Sequence, residues 1–549
     1  MNERFLELIE KSINKHWDLP ALTDHNSATY YYKDVAERIA KLHIIFEQAN
    51  IQKGDKIAIM GRNSSHWAMS FLGVVSYGAV AVPVLNDFKP ENVHHIIAHS
   101  EAKFFLLTDV NWENLDRSAM PAVVCYLSLD NFAVLYSQQP GVGEQIDARF
   151  KELYPDGIKP GRLKYYLEEA EELALINYTS GTTGFSKGVM LPYRSLWGNT
   201  RFASDCLWFI GTGDRMVCML PMAHMYGLAF DLCHSINKGC HIHFLPRIPN
   251  PKTVLETFAA VRPKMVIAVP LIIEKIVRNR IFPELKKPHM KILLNIPLVN
   301  RLIKKKICEK LNNAFGGEFF QVVLGGAPVN KDIEAFLRDI GFKYTIGYGM
   351  TECGPLLTYA QWDKCKAASA GYVIDRVQLK IDSANPETEI GEILVSGCNN
   401  MLGYYKNPEA TAEVMLPDGW MRTGDLGTID KDGTVFIRGR SKALILSASG
   451  QNIYPEEIES ALNNLPYISE SVVIQKQDKL IGLVYPDWEN VEKKGLSEEE
   501  LQAIMTNNMD TLNQKMPNYN RLSEIHLRRE PFEKTPKQSI KRFLYQAEG

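Results

Sequence analysis

The chain has 549 residues, of which 62 are Lys or Arg, 64 are Asp or Glu, and 45% are hydrophobic. At about 150 residues per domain, this length allows three or four domains or subdomains with ample core, and the balanced charge excludes a partner chosen by bulk electrostatics, nucleic acid foremost. Nine scattered cysteines (125, 206, 218, 233, 240, 308, 353, 365 and 398) contain no C-x-x-C pair, so neither a zinc site nor a redox dithiol is indicated and a reducing compartment is expected.

The opening MNERFLELIEKSINKHW interleaves charges with its apolar residues and reads as no signal peptide, so the expected location is cytoplasmic. The longest apolar stretch, Phe71 to Leu85, is broken by Ser76, Tyr77 and Gly78, which makes it a helix end followed by a core strand rather than a membrane span. From Lys56 to Glu352, short apolar runs (KIAIMG, AVAVPV, KFFLLTD, MVCMLP, HIHFLP, KMVIAVP, QVVLGGAP, KYTIGYG) alternate with helix-like segments. This is the pattern of βαβ units and mostly parallel sheets, whose ligands bind beyond the carboxyl ends of the strands. Between Arg262 and Lys310 basic residues crowd together, among them Arg301, Lys304, Lys305 and Lys306, with Leu298, Leu302, Ile307 and Leu311 at helical spacing. A basic amphipathic helix of this kind can rest on an anionic membrane, but a solvated helix face is the commoner outcome and the favoured reading.

Tyr178 to Leu191 reads YTSGTTGFSKGVML. Glycines let backbone N–H groups approach an anion, Thr179, Ser180, Thr182, Thr183 and Ser186 add hydroxyl donors, and Lys187 adds charge, so the loop suggests phosphate. It is not a Walker A loop, because Lys187 is followed by Gly188 and a strand-like VML instead of Ser or Thr opening a helix. The loops GGAP (Gly325, Gly326, Ala327) and GYGMTE (Tyr348, Thr351, Glu352) also follow strand-like runs, so all three are expected to converge.

After Gly371 the texture becomes alternating strands and tight turns, indicating a small antiparallel or barrel-like subdomain. Asp430-Lys-Asp-Gly433 lacks the remaining ligands of a calcium loop and reads as a hairpin turn. Beyond it come a helix (PEEIESALNNL), two strands (SESVVIQ, LIGLVYP) and a long helix (SEEELQAIMTNNMDTLNQKM), a compact α+β unit. The expected architecture is therefore α/β: a large N-terminal domain of βαβ subdomains plus the small β subdomain over 1–438, then a small α+β C-terminal domain over 439–549.

Six motifs, in this order and spacing, resemble the adenylate-forming superfamily: Tyr178-Thr-Ser-Gly-Thr-Thr-Gly-Phe-Ser-Lys-Gly188, Tyr348-Gly-Met-Thr-Glu352, Gly403-Tyr-Tyr-Lys-Asn-Pro408, Thr423-Gly-Asp425, Gly439-Arg-Ser-Lys442 and Asn452-Ile-Tyr-Pro-Glu-Glu-Ile458. That superfamily includes acyl-CoA synthetases, nonribosomal peptide adenylation domains and firefly-type luciferases. The resemblance implies that a carboxylate is first joined to the α-phosphate of ATP, releasing pyrophosphate, and the mixed anhydride is then attacked by a thiol. It further implies that the loop with Thr179, Ser180, Gly181, Thr182, Thr183, Gly184 and Lys187 holds the β and γ phosphates. Thr351 would touch the α-phosphate, and Glu352 would bind Mg²⁺, a hard cation suited to oxygen ligands. Tyr348 and the Gly325-Gly326-Ala327 turn would face adenine, Asp425 the ribose hydroxyls, and Arg440 the ribose and phosphate. Glu352 and Asp425 are both expected to meet ligand rather than core. His224, in LPMAHMYG, falls beside the acyl pocket and Lys442 at the hinge about which the mobile C-terminal domain swings between half-reactions.

The segment LILSASGQNIYPEEIE and the ending FEKTPKQSIKRFLY resemble long-chain fatty acyl-CoA synthetases, implying fatty acid as substrate and CoA as acceptor. The alternatives are transfer to an acyl carrier protein, or a nucleotide- or acyl-binding homologue with weak turnover. In one respect the chain departs from the family: its tail pattern Thr-x-x-Gly-Lys-Ile-x-Arg is here Thr535-Pro-Lys-Gln-Ser-Ile-Lys-Arg542, with Ser539 where the adenylation lysine belongs. In an extended tail Lys537 and Lys541 point the same way as Ser539, and Lys541, next to the matched Ile540 and Arg542, is the favoured substitute.

Overall fold

Runs such as Val80–Val84 and Phe104–Leu107 are apolar at every position, and they are buried at every position. In the computed structural model, which describes residues 3–179, 187–245, 251–285, 287–446, 452–476, 479–534 and 540–546, they form the middle of an eight-stranded sheet. Its spatial order is Gly403–Tyr404, Lys187–Pro192, Leu173–Thr179, Val80–Val84, Lys56–Met60, Phe104–Leu107, Cys125–Ser128 and Val134–Ser137. The central pairs are parallel, as strands buried on both faces require. Phe71 to Leu85 resolves into the end of helix Ser65–Tyr77 and strand Val80–Val84. The Ser64 hydroxyl caps the helix by accepting from the Trp67 N–H, an interaction whose loss to alanine costs about 1 kcal/mol. Gly78, at φ 86°, ends it in a left-handed conformation that a side chain would strain.

The second parallel sheet, Val266–Ala268, Val322–Leu324 and Tyr344–Ile346, delivers GGAP and GYGMTE from adjacent strand ends. A four-stranded sheet combines Arg215–Cys218 and His241–Phe244 with Pro20–Asp24 and Thr29–Tyr31 from the start of the chain. The β subdomain is a seven-stranded antiparallel sheet running Tyr348–Gly349, Leu356–Tyr359, Gly371–Val373, Thr434–Arg440, Met421–Ile429, Gly391–Gly397 and Val377–Asp382. Asp430 does make the hairpin turn: its Oδ1 accepts from the N–H groups of Asp432 and Thr434, and Gly433 takes φ 80°.

The C-terminal unit has its own core. Strand Ile468–Lys476 alternates, placing Val473 against Ile458, Leu462 and Leu501 on one face, and Val472 and Ile474 against Phe532 and Tyr545 on the other. Arg542 pins the tail to this unit with both guanidinium nitrogens on Glu459, each at 2.6 Å.

In the basic segment the four apolar positions do not share a face. Leu311 is buried and Ile307 packs on the same core, whereas Leu298 and Leu302 are exposed. Five residues separate Leu302 from Ile307, a rotation of about 140° at 3.6 residues per turn, so the helix Pro297–Ala314 turns one pair inward and the other outward.

Candidate active site

The turn that follows strand Tyr344–Ile346 organises the site. Tyr348 donates its hydroxyl hydrogen to Asp425 Oδ2 at 2.8 Å, and Arg440 Nε lies 3.1 Å from Asp425 Oδ1. Both contacts follow from register. Asp425 sits on strand Met421–Ile429 directly opposite Arg440 on Thr434–Arg440, so the two side chains are cross-strand neighbours. Asp425 is only 5% exposed, and burial raises its pKa above the usual carboxylate range against the pull of Arg440. Arg440 is held more firmly protonated by the same carboxylate, and its side chain stays 68% exposed. The site therefore presents an open cation beside a covered anion.

Four residues along the turn, Glu352 meets Tyr404 of the Gly403-Tyr-Tyr-Lys-Asn-Pro408 motif. Tyr404 donates its hydroxyl hydrogen to Glu352 Oε1 at 2.9 Å, and the Lys187 ammonium stands 4.7 Å from the centroid of the same ring. Tyr404 reaches this point because the two-residue strand Gly403–Tyr404 pairs with Lys187–Pro192, Tyr404 opposite Val189. The Met401 N–H adds a 2.8 Å bond to the Glu352 carbonyl. Burial, with the Glu352 carboxylate second, raises the Tyr404 pKa, so the hydroxyl stays a donor. The signal for Tyr404 was its place in Gly403-Tyr-Tyr-Lys-Asn-Pro408, but sequence spacing could not show that a distant strand would lean its ring between Lys187 and Glu352.

Thr179 and Lys187 are paired directly at the open end of the antiparallel hairpin. Between them Ser180, Gly181, Thr182, Thr183, Gly184 and Ser186 lie outside the described residues, as do the Lys442 side chain, Lys537 and Ser539. Thr351 is buried. Gly325 needs its bare Cα: a Cβ would sit 3.1 Å from the Tyr226 ring and 3.2 Å from the Gly347 carbonyl. Gly326 takes φ 81°, which exposes the turn ending in Ala327. His224 is half-buried, and its Nδ1 accepts from the Tyr226 N–H at 3.2 Å, while the Tyr226 hydroxyl donates to the Val323 carbonyl at 3.2 Å beside the GGAP strand end. Asn177 holds the same loop by donating to the Ala223 carbonyl at 2.9 Å.

Lys541 is not delivered to this cluster by an extended tail. The chain folds back, with Lys534 bridging to Ile540 and the Lys541 N–H bonded to the Glu533 carbonyl at 2.8 Å, and the Lys541 ammonium pairs with the Glu533 carboxylate. Each additional backbone bond shortens the reach of the tail, which a two-residue periodicity assumes to be straight.

A divalent cation fits the donor set. Among the described residues no three His, Cys, Asp or Glu side chains gather into a protein-only metal cage. A single carboxylate, Glu352, oriented by Tyr404 beside Lys187, could join phosphate oxygens around a hard cation.

Comparison with known proteins agrees with this geometry. Residues 9–405 match the model of the AMP-binding enzymes, and residues 442–548 match that of the AMP-binding enzyme C-terminal domain. Similar proteins include the long-chain-fatty-acid–CoA ligase heimdall of Drosophila melanogaster, 26% identical with 87% of this chain and 75% of that protein covered. Another is the long-chain-fatty-acid–CoA ligase FadD15 of Mycobacterium bovis, 27% identical with 81% and 74% covered. Among solved structures, the anthranilate CoA ligase AuaEII in complex with anthranoyl-AMP superposes with TM-score 0.81 at 18% identity, covering 100% of this chain and 97% of that one. ATP-bound MatB from Rhodopseudomonas palustris superposes with TM-score 0.78 at 22% identity, covering 99% of each. The fold is thus that of adenylate-forming enzymes along the whole chain, and the chain belongs to the AMP-binding enzymes, the adenylate-forming family.

Proposed function

We propose that the protein activates a fatty acid with ATP and transfers the acyl group to CoA. In the first half-reaction a fatty carboxylate oxygen attacks the α-phosphorus of ATP, the bond to the β-phosphate oxygen breaks, and pyrophosphate leaves. In the second, a CoA thiol gives its proton to solvent, its sulfur attacks the acyl carbon, and AMP leaves with the electrons of the anhydride bond. The observation that carries the reading is the single turn Tyr348 to Glu352, which joins the Asp425–Arg440 pair to the Glu352–Tyr404–Lys187 group.

Asp425 is suited to accept ribose hydroxyls, with Tyr348 fixing its second oxygen and offering its ring to adenine at the Gly325-Gly326-Ala327 turn. Arg440, exposed and permanently charged, faces the developing phosphate charge, as do Lys187, Thr351 and the hydroxyl-rich loop that Thr179 begins. Glu352 would hold Mg²⁺, which supplies charge neutralisation at the phosphates. His224 borders the acyl pocket as a gate. A boundary at residue 439, with Lys442 in the short 3₁₀ turn Ser441–Ala443 as pivot, gives the C-terminal unit its mobility.

The fatty acid assignment is supported by the names of the relatives and by the LILSASGQNIYPEEIE segment. Purified protein should exchange labelled pyrophosphate into ATP when a long-chain fatty acid is present, and release AMP when CoA is added. Exchange driven by anthranilate but not by fatty acid would overturn the substrate. Product formation only with an acyl carrier protein would overturn the acceptor. No exchange with any carboxylate would leave a binding protein.

A further inference from the structure

Thirteen large hydrophobic side chains are exposed among the described residues, and five of them fall within one stretch: Ile292, Leu293, Ile296, Leu298 and Leu302. Leu298 is 78% and Leu302 61% exposed, more than an isolated surface leucine requires, and the five span the helices Pro288–Leu294 and Pro297–Ala314 across a two-residue link. Between residues 286 and 314 the sequence has eight Lys or Arg and one acid, Glu309. On the outer face of the second helix Arg301, Lys305 and Lys306 flank Leu298 and Leu302, because offsets of three, four, seven and eight residues return to one side. Arg301 and Lys306 make no ion pair among the described residues, and Lys305 reaches Glu309 only at 4.0 Å with both side chains exposed.

The opposite side of the same helix is already spent on the protein, with Leu311 buried and Ile307 and Cys308 packed against the core of the three-stranded parallel sheet. The exposed outer stripe is not what covers that core. We propose that this face docks on the surface of an anionic phospholipid bilayer, the leucines and isoleucines entering the acyl boundary and the basic rim lying among lipid phosphates. No helix among the described residues is long and apolar enough to cross a membrane, so the contact is peripheral. An apolar stripe bordered by Arg301, Lys305 and Lys306 matches this surface in both respects: an acidic protein partner would leave five apolar side chains without a counterpart, and a second copy would set like charges against one another. The proposed fatty acid substrate gives such docking a purpose, since that substrate partitions into bilayers, but the attachment itself does not depend on it.

The test is sedimentation of the full chain, without substrates, with vesicles of phosphatidylcholine and with vesicles of an equimolar mixture of phosphatidylcholine and phosphatidylglycerol. Binding is expected only to the mixed vesicles and to weaken with added salt. Lys305→Gln/Lys306→Gln should bind roughly thirtyfold more weakly, from about 1 kcal/mol per basic residue at a charged surface. Leu298→Asp/Leu302→Asp should abolish binding, and because both positions are exposed the fold should survive, as checked by thermal unfolding. Equal binding to both vesicle types, unchanged binding of either double variant, or a concentration-dependent dimer that Leu298→Asp/Leu302→Asp disrupts in the absence of vesicle binding would each overturn the proposal. Pyrophosphate exchange plays no part in these readouts, so vesicle binding without fatty acid turnover, or the converse, separates the two readings.

Discussion

Replacing Asp425 by alanine separates what that carboxylate does for the site from what it does for the fold. In the folded chain it accepts a 2.8 Å hydrogen bond from Tyr348 and a 3.1 Å contact from Arg440. Its loss takes the charged partner from a half-buried tyrosine hydroxyl, a cost of about 1.5–3 kcal/mol. The Arg440 pair adds little, about 0–1 kcal/mol, because the guanidinium is mostly in water. The variant is also relieved of burying a carboxylate, the cause of the raised pKa, so the net destabilisation should be about 2 kcal/mol. Typical domains have about 5–15 kcal/mol in reserve, so the protein should remain folded with a lowered unfolding midpoint. Pyrophosphate exchange should fall about a hundredfold, the scale of one lost preorganised contact of about 3 kcal/mol. Asp425→Asn adds a pH signature. With the folded pKa above the unfolded one, the native state binds the proton more tightly. The parent's stability from this group is therefore full below the unfolded carboxylate range and declines as pH rises through the raised folded pKa. The Asn variant should lack that decline. A parent-like exchange rate in Asp425→Ala would remove Asp425 from the site, and a parent-like unfolding midpoint would refute the hydrogen-bond reasoning.

Three further outcomes are expected. Tyr404→Phe removes the hydroxyl from Glu352 and should raise the Mg²⁺ concentration needed for half-maximal exchange about tenfold, from a lost bond to a charged group of about 1.5 kcal/mol; an unchanged Mg²⁺ requirement refutes the role. Lys442→Pro fixes φ at the proposed pivot and should spare exchange while slowing thioester formation; equal loss of both argues against a hinge there. If the swing about Lys442 carries the tail over the site, Lys541 must exchange its Glu533 partner for the reacting phosphate, so Lys541→Ala should lower exchange far more than thioester formation from preformed acyl-adenylate, and Ser539→Lys should partly restore that variant. If Lys541→Ala and Lys537→Ala both exchange at the parent rate, neither lysine substitutes for it.

Much of the architecture was written in local pattern. Apolar runs such as VAVPV and FFLL could only be strands covered on both faces, and their alternation with amphipathic segments dictated parallel sheets. The adenylate-forming motifs gave the components of the site, but not its contacts, because these depend on register between distant strands. Asp425 opposite Arg440 and Tyr404 opposite Val189 are consequences of pairing in two different sheets. The same limit applies to two other segments. Leu298 and Ile307 have helical spacing in the sequence but different environments, since only packing decides which stripe is covered. Lys541 could be placed on a straight tail, but the backbone bond to Glu533 that bends the tail leaves no trace in residue type.

Asn464, just beyond the C-terminal unit's first helix, extends its side chain to Arg278 at 2.9 Å and to Asn330, both on the N-terminal side of the chain. Those links are polar and only partly buried, so water can take the place of either partner at a net difference of about 1 kcal/mol per bond. Links of this kind do not by themselves lock one arrangement. A ligand whose affinity differs between arrangements by only a few kcal/mol could then act as a selector, without melting either core.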